Sequence, residues 1–285
     1  MHGRAAVAAA FARARVAGRA ALIGYYPAGF PDPQTSVAAM TAMLDAGVDV
    51  LEVGLPYSDP LMDGPMIARA VEQALTHRCT TDDILGMAGQ LASGAQPILI
   101  MTYWNPIEQY GPTAFAARAR AAGLAGVITP DLTPEESGPW QAACEGAGLA
   151  RVYLVAPTSS DERLRLVAGH CTGFVYAASL MGVTGTRAAV SDRAAPLVAR
   201  VRSVTDLPVC VGLGVSTGEQ AAAIAEYADG VIVGSAFIAR ALAAGAPERV
   251  PEAVAECARE LAAGVRAGRA GVGHSQPETA DRGCA

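Results

Sequence analysis

The chain lacks the marks of a metal or disulfide protein. Its six cysteines, Cys79, Cys144, Cys171, Cys210, Cys257 and Cys284, form no CxxC pair, so they read as reduced, mostly buried thiols. The four histidines are equally dispersed, and no metal site is expected. No apolar run reaches the ~18 residues of a membrane span. No GxxxxGK[ST] pattern occurs, which argues against a nucleoside triphosphate. Positive charge is also short: 21 basic residues face 27 acidic ones, a formal net charge of -6. This speaks against a nucleic-acid face and for a soluble protein with local anion recognition.

Hydrophobic residues make up 52% of the 285 and charged residues only 17%, enough for a sizeable core. Arg13 and Arg15 interrupt the first apolar run, so the start reads as an amphipathic helix and not as a targeting segment. One unit then repeats: a short Val/Ile/Leu strand, a loop, an Ala-rich amphipathic helix. Strands are expected at 20–25, around Glu52, and at 97–101, 126–129, 151–155, 173–177, 208–212 and 230–233. Helices are expected near 34–46, 80–94, 112–123, 134–147, 160–169, 189–204, 216–227 and 235–243. Length alone leaves one or two domains open. Eight units without a linker predict a single α/β domain, a (β/α)8 TIM barrel over 1–265. The tail 266–285, rich in Gly and polar residues, is expected to be disordered.

In such a barrel the active site lies at the carboxyl ends of the strands. The stretch DVLEVGLPYSDPLMDGP places Glu52 inside an apolar strand and Asp59 and Asp63 in the loop after it. Period-two geometry puts Val50, Glu52 and Gly54 on one face. On the lumen side, Glu52 would have an apolar floor, which raises a carboxyl pKa toward the range useful for proton transfer. The other reading is an ion pair with an arginine, and for Asp59 and Asp63 it is loop capping. Further strand-end residues are Tyr103, Asn105, Asp131 and Tyr176. Gly185, Gly214, Gly234 and Ser235 put small residues where backbone amides can approach a phosphate. Ser216 and Ser235 stand where helices should begin. Tight turns and N-caps are the alternative for each loop taken alone.

The motifs LEVGLPYSDPLMDGP, TYWNP and GVTG, with the ordered GLGVS and GSA, are similar to those of the tryptophan synthase α-chain family over about residues 10–265. The resemblance implies a lyase that cleaves indole-3-glycerol phosphate to indole and glyceraldehyde 3-phosphate without metal or cofactor. It implies a cytoplasmic protein of tryptophan biosynthesis in an αββα complex, with pyridoxal phosphate on the partner β subunit. Carried over by position, Glu52 becomes the acid/base and Asp63 the group that stabilises positive charge on the indole nitrogen. Tyr176 becomes a substrate contact, Thr184 the loop residue that closes the site, and Gly185, Gly214, Gly234 and Ser235 the phosphate cradle. Pro56, Asp59 and Asn105 fall in loops that face the β subunit. Leu213 stands where many relatives have Phe, and Met62 and Trp104 occupy variable positions. The alternatives are a free-standing indole-producing lyase, a non-catalytic regulatory homologue, or another phosphate-binding barrel such as an isomerase.

Overall fold

A computed structural model describes residues 3–178, 188–212 and 214–270. Helix α1 (Arg4–Val16) precedes strand β1 (Ala21–Pro27) and helix α2 (Pro33–Asp45). Strand β2 (Val50–Gly54) is followed by two helices, α3 (Pro65–Leu75) and α4 (Thr81–Leu91). Strand β3 (Ile98–Met101) is likewise followed by α5 (Trp104–Tyr110) and α6 (Pro112–Ala121). Then come β4 (Gly126–Ile128), α7 (Gly138–Ala147), β5 (Ala150–Val152), β6 (Leu154–Val155) and α8 (Asp161–His170). The remainder is β7 (Val175–Ala178), α9 (Ala188–Arg202), β8 (Val209–Gly212), α10 (Gly218–Ala225), β9 (Gly230–Val233), α11 (Ser235–Ala243) and α12 (Val250–Ala270).

All strand pairs are parallel, in the order β5-β4-β3-β2-β1-β9-β8-β7-β6. The two ends of this order, β5 and β6, are consecutive in the chain and separated only by Tyr153. The sheet therefore curls into a nearly closed barrel, and the nine strands are the eight expected ones with the fifth broken in two. At the break the pairing changes sides. The Val152 carbonyl accepts from the Thr129 N–H on one side, and the Tyr153 carbonyl accepts from the Tyr176 N–H, 3.2 Å away, on the other.

Two apolar layers follow from strands buried on both faces. The outer one packs the strands against the helices. The inner one fills the lumen with residues such as Ile23, Val50, Leu99, Cys210 and Ile232, and it also includes Val7, Ala10 and Phe11 of α1. The N–H of Arg4 and the side chain of Arg13 bond to the carbonyls of Gly148 and Ala95, which lie just before β5 and β3. Helix α1 therefore closes the amino-terminal end of the barrel and leaves the carboxyl end as its mouth. At the other terminus α12 runs through Ala270, past the expected domain end at 265; residues 271–285 lie outside the described residues. Among the described residues no helix is long and apolar enough to cross a membrane.

Candidate active site

The carboxyl ends of the strands surround one cavity, lined among others by Glu52, Asp63, Tyr176, Gly214, Gly234 and Ser235. Six of the eight residues assigned to catalysis or substrate are thus brought together. The other two, Thr184 and Gly185, lie outside the described residues, as does Leu213.

Glu52 sits mid-strand in β2, whose five residues are all buried. Because Val50 belongs to the lumen layer, strand alternation directs Glu52 into the lumen as well. It is fully buried, and neither carboxylate oxygen has a hydrogen-bond partner among the described residues. The ion-pair reading therefore fails among the described residues. Burial without compensation favours the neutral acid and pushes its pKa up to about 8. Stability gains nothing from such a group. Unpaired, titrating near neutrality and facing a cavity, it has the properties of a proton-transfer group.

Asp63 lies at the end of the loop that follows the same strand. Its Oδ1 accepts a hydrogen bond from the Tyr103 hydroxyl at 3.0 Å, and that hydroxyl accepts from the Met62 N–H at 3.0 Å. Tyr103 is itself held against Tyr57, with ring centroids 5.5 Å apart. Burial raises the Asp63 pKa, and the bond from Tyr103 opposes the rise. The cavity thus holds two carboxyl groups in different settings, one dry and bare, the other half-buried and hydrogen-bonded.

Two phenols share the lumen with Glu52. Tyr25 is its register partner across the β1–β2 ladder, and Tyr176 projects from β7 into the lumen layer. Burial raises both phenol pKa values well above 10, so both remain neutral donors. Glycines give them room: a Cβ on Gly54 would collide with the Tyr25 hydroxyl, and one on Gly212 with the Tyr176 hydroxyl. No signal in the sequence marks Tyr25, since a tyrosine in an apolar strand reads as core. Tyr103 stood in a candidate loop, but its bond to Asp63 spans 40 residues.

Beyond β1, at the end of β9, Ser235 opens α11 with Gly234 before it, and no side chain among the described residues caps this helix start. Gly214 has a φ of 75°, a left-handed conformation suited to glycine. Ser216 does not begin a helix. Thr217 caps α10 by accepting from the Gln220 N–H, and the Ser216 N–H is taken by Gln220 Oε1 at 2.7 Å. The loop aspartate Asp131 likewise has a structural task, since both its oxygens accept from the Trp104 N–H that starts α5. Pro56 and Asn105 lie away from the cavity and line a separate surface groove with Tyr57 and Tyr110. Asp59 is exposed and accepts a hydrogen bond from Ser58. No group of three or more His, Cys, Asp or Glu able to hold a metal occurs among the described residues.

Comparison with known proteins gives the same picture as the geometry. Residues 11–266 match the family model described as tryptophan synthase alpha chain. The chain is 55% identical over 261 residues to the tryptophan synthase alpha chain of Acidothermus cellulolyticus, covering 92% of this chain and 97% of that one. It is 54% identical to the alpha chain of Thermobifida fusca, over 90% and 96% of the two. A solved tryptophan synthase of Mycobacterium tuberculosis superposes with a TM-score of 0.85 at 48% identity, covering 93% and 99%. The tryptophan synthase subunit alpha of Legionella pneumophila superposes with 0.83 at 34% identity, covering 93% and 98%. The chain, with its broken-ring barrel and its bare glutamate at the mouth, belongs to the tryptophan synthase alpha chain family, whose members are carbon–carbon lyases of tryptophan biosynthesis.

Proposed function

We propose that the barrel mouth binds indole-3-glycerol phosphate and that Glu52 and Asp63 carry its retro-aldol cleavage. The observation that carries this reading is Glu52, fully buried with both oxygens unpartnered among the described residues, in a cavity that also holds Asp63. The bond to be broken joins indole C3 to the glycerol chain, and its electrons need a sink. Protonation of C3 provides one by making the ring cationic at nitrogen, and a carboxylate at the position of Asp63 stabilises that charge. Removal of the proton from the adjacent chain hydroxyl then turns that carbon into an aldehyde. The bonding pair returns to the ring, and indole and glyceraldehyde 3-phosphate separate. One proton is added to carbon and one is taken from oxygen, so a single carboxyl group near neutral pKa serves both transfers.

The phosphate fits the ends of β8 and β9. The uncapped start of α11 at Gly234 and Ser235 and the Gly214 turn present backbone amides to an anion. Thr184 is assigned to closing the site over the ligand, and Gly185 joins Gly214, Gly234 and Ser235 in the phosphate cradle. Tyr176 packs along the reacting end. Anchoring a remote phosphate orients the carbon–carbon bond between the two carboxyl groups. The wider assignment is a cytoplasmic αββα complex in which the β subunit carries pyridoxal phosphate and receives indole, with Pro56, Asp59 and Asn105 facing it.

The test is indole release from indole-3-glycerol phosphate, measured with and without a β subunit. Glu52→Gln and Asp63→Asn should each lower turnover by about 10³-fold or more while ligand binding persists. A wild-type chain that releases no indole even with its partner would make the site a regulatory ligand pocket instead.

A further inference from the structure

Tyr25 lines the same cavity but has no role in the chemistry described above. It follows Ile23 on the lumen face of β1, with Glu52 beside it on β2. Its ring bridges the mouth between two glycines. A Cβ on Gly234 would sit 3.1 Å from the ring Cδ1, and one on Gly54 would meet the hydroxyl end. The ring therefore runs from the side assigned to phosphate toward the side that holds Glu52. The glycerol chain has to follow the same path, because it joins the phosphate to the reacting carbon.

The hydroxyl lies in the field of Asp63, Tyr103, Glu52 and Tyr176, and burial keeps its proton in place. Tyr25 is only 8% exposed, yet its hydroxyl takes part in none of the hydrogen bonds among the described residues, unlike the Tyr103 hydroxyl, which makes two. A phenol in an apolar mouth gains most when a ligand supplies its acceptor. A phenylalanine would fill the space between Gly54 and Gly234 equally well, so packing does not account for the oxygen.

We propose that Tyr25 contacts the substrate and donates a hydrogen bond to the glycerol hydroxyl oxygen whose proton Glu52 removes. The inference rests on the reaction assigned to this site. As the hydroxyl proton leaves and the carbon–carbon bond breaks, that oxygen becomes a carbonyl oxygen and carries negative charge on the way. A neutral donor stabilises it most at that moment and keeps its own proton throughout, so Tyr25 changes no proton count.

The experiment compares wild type and Tyr25→Phe, each with a β subunit. Two quantities are measured: kcat for indole-3-glycerol phosphate, and the inhibition constant of an indolyl-propyl phosphate that lacks both chain hydroxyls. Loss of one neutral hydrogen bond to a charge-bearing oxygen should lower kcat about tenfold. The inhibition constant should stay within about twofold, since that ligand offers no hydroxyl to read. A kcat within twofold of wild type would overturn the assignment. An inhibitor affinity that falls as much as kcat would also overturn it, by assigning Tyr25 to packing. A wild-type enzyme that leaves the substrate intact refutes the reaction itself, which both variants then share.

Discussion

Glu52 sets a cost that can be measured without any substrate. Its ordinary pKa is 4.5 and burial pushes it up to about 8, so between these values the unfolded chain releases a proton that the folded chain keeps. Folding stability from this group is therefore undiminished below about pH 4.5, falls as the pH rises, and levels off above about 8. The loss is on the order of 5 kcal/mol across the window. Glutamine has the same shape and no charge to desolvate. Glu52→Gln should thus be progressively more stable than wild type from pH 5 to pH 8, as read from urea unfolding midpoints of the two proteins. A difference that does not change with pH would mean that the carboxyl group is solvated. This residue was legible in the sequence because a charge inside VLEVG has few explanations. Tyr25 was not, because an aromatic in ALIGYYP satisfies the expected pattern of a buried strand and its hydroxyl matters only in the three-dimensional company of Glu52 and Asp63.

Helix α1 shows what an element outside the repeat contributes. Phe11 reaches the inner layer and lies 5.7 Å from Phe174, centroid to centroid, at the end of the barrel away from the mouth. Phe11→Ala should cost about 3–5 kcal/mol by opening a cavity under the lumen floor, while KM for the phosphate substrate should stay unchanged because no mouth residue loses a contact. Denaturant unfolding and steady-state kinetics on the same preparation check both halves. A large rise in KM would show that the floor positions Glu52. The strands and most helices were readable because apolar runs and helical periodicity alternate regularly. Helix α3 was hidden behind the Pro-Gly-rich loop that precedes it, and it starts at Pro65 without a side-chain cap. Helix α5 is seven residues long and carries Pro106 within its first turn, so TYWNP resembled a loop. The break at Tyr153 has no local signal at all, since RVYLV is as good a strand as its neighbours; it arises from pairing to β4 on one side and β7 on the other.

At the scale of the whole molecule the mouth is one-sided, and this bears on the partner. The barrel floor is closed by α1, so anything that covers or drains the site must approach from the loops after the strands. The loop after β2 carries Leu61, 78% exposed, while its inner end supplies Met62 and Asp63 to the cavity. Tyr57, in the same loop, lines the outer groove with Pro56 and Asn105 and stacks on Tyr103, which holds Asp63. A subunit that covers this groove therefore presses on a short relay of contacts ending at Asp63, the carboxyl group to which the proposed mechanism assigns charge stabilisation. Ordering that relay should raise the population of competent sites without adding any group to them. Added β subunit is accordingly expected to raise indole release by about tenfold or more. Asp59→Ala, which alters an exposed side chain bonded among the described residues only to its neighbour Ser58, should reduce that activation severalfold and leave the turnover of the chain alone within about twofold. The measurement is a titration of β subunit against rate for both proteins. If Asp59→Ala follows the wild-type curve, the partner docks elsewhere. If it lowers the unactivated rate as much as the activated one, the loop shapes the cavity directly and the relay through Tyr57 is not what couples the two surfaces.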